Sequence, residues 1–142
     1  MIRVCATALM GVAIILFGAS SRAAASIMVQ IERATQTMDV IVDGEPNYHW
    51  RVSTARRGYV TPAGSYHPYM MARRWFSHLY YNSPMPHSIF FYRGFAIHGT
   101  YEISRLGGPA SHGCVRLDPA NAAILFDLVA REGMRNTTIV VH

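Results

Sequence analysis

The chain has 142 residues, with 13 Lys+Arg against 8 Asp+Glu, a formal charge of +5 and 51% hydrophobic residues. Every basic residue is an arginine, and no basic stripe interleaved with aromatics occurs, which excludes a nucleic-acid footprint. There are no internal repeats and no linker, so beyond its first segment the chain reads as one domain around one core.

That first segment, MIRVCATALMGVAIILFGASSRAAA, carries Arg3, an apolar stretch from Val4 to Ala19, and small residues ending Ala23-Ala24-Ala25. It predicts an export leader over 1–25, cleaved after Ala25, and hence a location in the periplasm or cell envelope. The apolar stretch, about 16 residues, is shorter than the roughly 20 needed to span a bilayer. Cys5 precedes the apolar run, so it does not read as a lipoprotein acylation site. Cleavage would remove Arg3 and Arg22 and no acid, lowering the formal charge from +5 to +3. Such a charge suits an acidic polymer such as a cell wall.

The domain over 26–142 begins with extended runs. SIMVQIE is a short apolar strand, and TMDVIVDGEPNYHWRVST offers two strands around Asp43-Gly44, a strong hairpin signal. Thr61-Pro62 and Ala63-Gly64 punctuate YVTPAGSYHPY as a turn between extended pieces. MMARRWFSHLYYNSPMP has no clean periodicity and reads either as a long loop walling a groove or as core filler. The arginines at 55–57 and 72–75 read as solvated loop charges, with substrate carboxylates as the alternative use. HSIFFYRGFAIHG gives two strands separated by Arg93-Gly94, the second ending at His98.

After a glycine-rich segment, LDPANAAILFDLVAREGM predicts a helix. Asp118 is its N-cap, Pro119 its first position, and Gly133 its end, with Ile124, Leu125, Leu128 and Val129 as the apolar face. TTIVVH reads as a final strand. Many strands and one helix make the domain mainly β.

Without the leader, Cys114 is the only cysteine, and in an oxidising compartment an unpaired thiol is buried and inert, bonded to another molecule, or chemically employed. Its neighbours narrow the choice. Only the thiolate attacks well, so a nucleophilic cysteine needs a base within hydrogen-bond reach and an acceptor to orient that base. Both His98, at a strand end, and His112, two residues before the thiol, are candidates. Gly113 permits a sharp turn that would aim the Gly113 and Cys114 amides at an oxyanion. Arg116, at the same parity as Cys114, can fork onto a carboxylate. The same residues allow two other readings: zinc held by His98, His112 and Cys114, or a polar cluster without chemistry.

IHGT together with LGGPASHGCVRL resembles the signature of the L,D-transpeptidase catalytic domain, the YkuD-like family of bacterial cell-wall enzymes. VSTARRGYVTPAGSYHPY and NSPMPHSIFFYRGFAIHGT are similar to other stretches of that family, so the resemblance covers nearly all of 26–142. It implies a β-sandwich or barrel-like sheet with one principal helix after the cysteine loop. Cys114 would be the nucleophile, His98 the base, and the Gly99 carbonyl its orienting acceptor. Gly113 and Cys114 would supply oxyanion donors, Arg116 would bind a carboxylate, and Ser111 and His112 would position substrate.

The family's substrate is a peptidoglycan stem tetrapeptide. A thioester forms at its third residue, a diamino acid, as terminal D-alanine leaves. An amine of a neighbouring stem, or a wall-anchored lipoprotein, then resolves it. No cofactor or metal is implied. Water as the acceptor would make an L,D-carboxypeptidase on the same residues, and a non-catalytic wall-binding protein is the alternative of another class. Sortases take their arginine from a later strand, and papain-like or NlpC-type peptidases place cysteine before histidine, which disfavours both.

Overall fold

The structure, a computed structural model, describes residues 22–142. The leader reading lies outside the described residues for 1–21. Nine strands and one long helix follow in order: β1 (Ile27–Glu32), β2 (Thr37–Val42), β3 (Glu45–Arg51), β4 (Gly64–Tyr66), β5 (Met70–Ala72), β6 (Ser88–Tyr92), β7 (Phe95–Gly99), β8 (Val115–Leu117), α1 (Pro119–Glu132) and β9 (Thr137–Val141). They form a five-stranded sheet in the order β3-β2-β1-β9-β4 and a four-stranded sheet in the order β5-β6-β7-β8.

The local causes are those of the sequence. Asp43 (φ 51°) and Gly44 (φ 82°) both take positive φ, the tight hairpin turn that matches strand twist. Asp118 accepts the Ala120 N–H at 2.9 Å and caps α1, whose first residue is Pro119. Gly133 ends the helix at φ 100°, where a side chain would be strained.

Alternation places Ile27, Val29 and Ile31 of β1 in a single cluster with Met38, Val40, Ile89, Phe91, Ile97, Val115, Leu117 and Ile139. α1 closes that cluster with Ala122, Leu125, Phe126, Leu128 and Val129. Ile124, expected on the apolar face, is instead 40% exposed, and Phe126 takes the buried place. The helix packs chiefly on β7, so the buried stripe is centred one position away from the predicted one.

β6 is buried on both faces. Ile89 and Phe91 join the main core, while Phe90 joins Met85 and Ala96 in a second cluster that Trp75 and Cys114 pack against. Over that second face stretches a flap, residues 73–87. Its stem is held by Met85 N–H to Trp75 O (2.8 Å), Ser77 N–H to Ser83 O (2.9 Å) and His87 N–H to Arg73 O (2.9 Å). The aromatic run thus does both things expected of it in the alternative, since Trp75 and Met85 fill a core while the tip walls a groove.

At the other end, Ala25 is buried and its N–H donates to Glu132 Oε2 at 2.8 Å. A cut after Ala25 would take that contact away, leaving the Ser26 nitrogen held by Asp43 at 2.9 Å.

Leu125, 1% exposed, fastens α1 to the core under β7. Leu125→Ala is expected to cost about 2–5 kcal/mol of stability, measured as a lowered urea midpoint.

Candidate active site

Strand parity brings the site together. In the parallel β7–β8 ladder, Ile97 lies opposite Val115 and His98 opposite Arg116. Paired residues share a face of the sheet, as do residues two apart on one strand. Ile97, Val115 and Leu117 point into the main core, so Ala96, His98, Cys114 and Arg116 face the other way. There His98, Cys114 and Arg116 line a groove of about 840 Å³ that the flap and residues 100–102 also line.

His98 is 5% exposed, and its Nδ1–H donates to the Gly99 carbonyl at 2.7 Å. That bond sets the tautomer and leaves Nε2 with a free lone pair. Burial pulls the imidazole down to about 4; the Gly99 bond opposes this and the Arg116 charge adds to it. Burial also pushes the Cys114 thiol up, against a backbone hydrogen bond at Ala96 and the Arg116 charge, which lower it. The thiol lies 4.0 Å from the Gly94 carbonyl. At neutral pH the pair therefore rests as thiol and neutral imidazole rather than as thiolate and imidazolium.

The turn 111–114 holds the thiol. Ser111 Oγ donates to the Cys114 carbonyl at 2.6 Å and accepts the Gly113 N–H at 3.0 Å. This differs from the sequence expectation twice. Ser111, 1% exposed, holds the turn, its hydroxyl hydrogen given to the Cys114 carbonyl and one lone pair to the Gly113 N–H. The Gly113 N–H, expected as an oxyanion donor, is bound by Ser111, so of the two expected amides only that of Cys114 remains for the task. Gly113 is required for another reason. Its φ is 138°, and a Cβ there would lie 2.4 Å from Phe95 Cε1.

A polar brace from residues 53–61 fixes this turn. Thr61 Oγ1 donates to the Gly113 carbonyl (2.8 Å) and accepts the Ala55 N–H (3.0 Å). Ser53 and Arg116 exchange backbone bonds at 3.0 and 2.8 Å. The Thr54 carbonyl accepts from Ala110 and Ser111, both at 3.0 Å, and Arg56 N–H donates to the Ser111 carbonyl at 2.9 Å.

His112 serves a different part of the site. Tyr80 of the flap stacks on its ring at 4.0 Å and 5°, and Tyr59 meets it edge-on at 4.7 Å. Arg56 Nη2 donates to His112 Nε2 at 3.0 Å, which occupies the lone pair a base would need. Desolvation, then the Arg56 and Arg116 charges, hold His112 below the usual histidine range. It is a flap anchor, whereas His98 keeps its Nε2 lone pair free. Arg116 Nη1, with its side chain largely buried, donates to Glu102 Oε2 at 2.8 Å. Among the described residues no three His, Cys, Asp or Glu are grouped to hold a metal ion.

Arg56, Thr61, Tyr80 and Ser53 were not singled out from the sequence. Thr-Pro marked a turn at Thr61, but nothing local pointed it at Gly113.

The family model of the L,D-transpeptidase catalytic domain, YkuD, matches residues 26–141. This chain belongs to that family. No curated protein matches it in sequence. Among solved structures it is similar to an L,D-transpeptidase from Mycobacterium smegmatis, with TM-score 0.74 and 22% identity over 83% of this chain and 59% of that one. It is also similar to the L,D-transpeptidase from Xylanimonas cellulosilytica, with TM-score 0.69 and 27% identity over 86% and 63%. L,D-transpeptidase 3 from Mycobacterium tuberculosis, in complex with a faropenem-derived adduct, gives TM-score 0.72 and 19% identity over 83% and 60%. This chain thus spans about three fifths of these proteins' own length.

Two outcomes follow from this geometry. Alkylation of Cys114 by iodoacetamide should rise continuously into alkaline pH, with no acid-side plateau; a plateau between about pH 5 and 7 would indicate a resting ion pair. Thr61→Val leaves the Gly113 carbonyl and Ala55 N–H unpaired, and should lower stability by about 1–3 kcal/mol in urea titration.

Proposed function

We propose that this protein is a peptidoglycan L,D-transpeptidase that works through a thioester on Cys114. The observation that carries the reading is the shared face of Cys114, His98 and Arg116 along one groove. Family membership supports the reaction class.

The donor stem tetrapeptide lies in the groove with the bond between its third residue and terminal D-alanine at the thiol. Sγ attacks the carbonyl carbon as the thiol proton passes to His98 Nε2. The Gly99 carbonyl steadies the imidazolium that forms. The low resting basicity of His98 is offset as negative charge develops on the substrate beside it. The Cys114 N–H stabilises the oxyanion. His98 then returns its proton to the departing D-alanine nitrogen, leaving the acyl group on sulfur. An amine of a second stem attacks the thioester, its proton passes to His98, and the thiol is restored with a 3→3 cross-link formed. A wall-anchored lipoprotein is the other acceptor of this kind, and water in its place would give carboxypeptidase activity. The substrate places the protein at the cell envelope, in keeping with the leader read over 1–25.

The test is release of D-alanine and formation of dimer from a purified disaccharide-tetrapeptide. Cys114→Ala should abolish both, and His98→Ala should slow them at least about 100-fold while circular dichroism stays unchanged. Wild-type protein that releases no D-alanine would contradict the proposal.

A further inference from the structure

Arg116 already holds a carboxylate. Its Nη1 donates to Glu102 Oε2 at 2.8 Å, and both side chains line the groove with Cys114. Glu102 is the only acid among the described residues that line this groove, where Arg56 and Arg105 add further positive charge. The two partners are not equally fixed. The Arg116 backbone is bonded on both sides to Ser53, and its side chain is 18% exposed; Glu102 sits on the loop ahead of a single 3-10 turn and is 56% exposed. Glu102 is the member that can move.

A closed ion pair restricts what displaces it. A ligand carboxylate alone would take Arg116 and leave Glu102 unpaired beside a second negative charge. An ammonium alone would draw Glu102 away and leave Arg116 without a partner. A group with ammonium and carboxylate on one carbon exchanges one internal pair for two crossed pairs and strands no charge.

We infer that the Glu102–Arg116 pair is a receptor for a zwitterionic amino-acid group, and that Glu102 selects the acceptor in the second half of the reaction. This rests on the transpeptidase reading above. Arg116 takes the acceptor carboxylate and Glu102 its ammonium. The ammonium loses one proton to solvent and the amine attacks the thioester carbonyl. The C–N bond forms as the C–S bond breaks, the remaining surplus proton passes to His98, and His98 returns it to the sulfur. Glu102 thereby favours an amine over water in a groove whose other charged residues are Arg56, Arg105 and Arg116.

The test uses the protein with stem tetrapeptide as donor and D-methionine or D-methionine amide as acceptor, the D configuration matching the D-alanine that leaves. Mass spectrometry gives the ratio of exchanged tetrapeptide to hydrolysed tripeptide. Both products come from one thioester, so the ratio reads only its resolution. Comparing the two acceptors between variants cancels their different basicities. Glu102→Gln should lower the exchange-to-hydrolysis ratio for D-methionine about tenfold. It should lower the ratio for the amide much less. Glu102→Asp should recover part of the selectivity.

An unchanged ratio in Glu102→Gln overturns the assignment, as does an increase, which would make Glu102 a competitor for Arg116. Equal loss with both acceptors also overturns it, because the effect of Glu102 would then be independent of the carboxylate that Arg116 takes. Wild-type protein that consumes no donor overturns the transpeptidase reading and this inference with it, whereas wild-type exchange with an insensitive Glu102→Gln overturns this inference alone.

Discussion

The parallel pairing of β7 with β8 is the constraint on which the site depends. One register decides that Ile97 and Val115 enter the core, and the same register turns His98, Cys114 and Arg116 together toward the groove. A slip of one residue would exchange the two sets, burying a guanidinium and exposing valine and leucine. The burial of Val115 and Leu117 at 0% exposure therefore holds the chemistry in place as well as the fold. β8 has only three residues, too few to keep that register alone. The brace from Ser53, Thr54, Arg56 and Thr61 supplies the remaining bonds, three of which end on backbone atoms of Ser111 and Gly113 in the turn that carries the thiol.

The electrostatics follow from the same burial. A histidine sunk in a sheet beside an arginine is kept neutral, and a thiol in that environment is kept protonated. In the proposed reaction the thiol thus stays unreactive until a carbonyl occupies the groove, when proton transfer to Nε2 and attack proceed together. Stability is linked to the same group. The unfolded chain protonates its histidine near 6.5 and the native one only near 4, so the contribution of neutral His98 is complete above about pH 6.5 and is lost as pH falls toward 4.

Much of this was legible in the sequence because its causes are local. Asp43-Gly44, Asp118-Pro119 and Gly133 each act within a few residues, and the SHGCVR run carries thiol, turn glycine and arginine in one segment. The parts that escaped depend on contacts between distant segments. Arg56 lies in a run that reads as solvated charge, yet it reaches His112 across 56 positions. Thr61 meets Gly113 across 52. The family resemblance gives Ser111 to substrate and Gly113 to the oxyanion, and the two are bonded to each other, because a tight turn must first pair its own buried polar groups. Ile124 kept helical periodicity and missed burial because α1 faces β7 one position off.

The proposed reaction requires Cys114 to be an acylatable nucleophile served by this groove. The most direct measurement is the intact mass of the protein after incubation with faropenem, beside a Cys114→Ala control. A single covalent adduct that is absent from the control is expected. Folded protein with a reduced thiol that stays at its native mass, or a control that is modified equally, would contradict it.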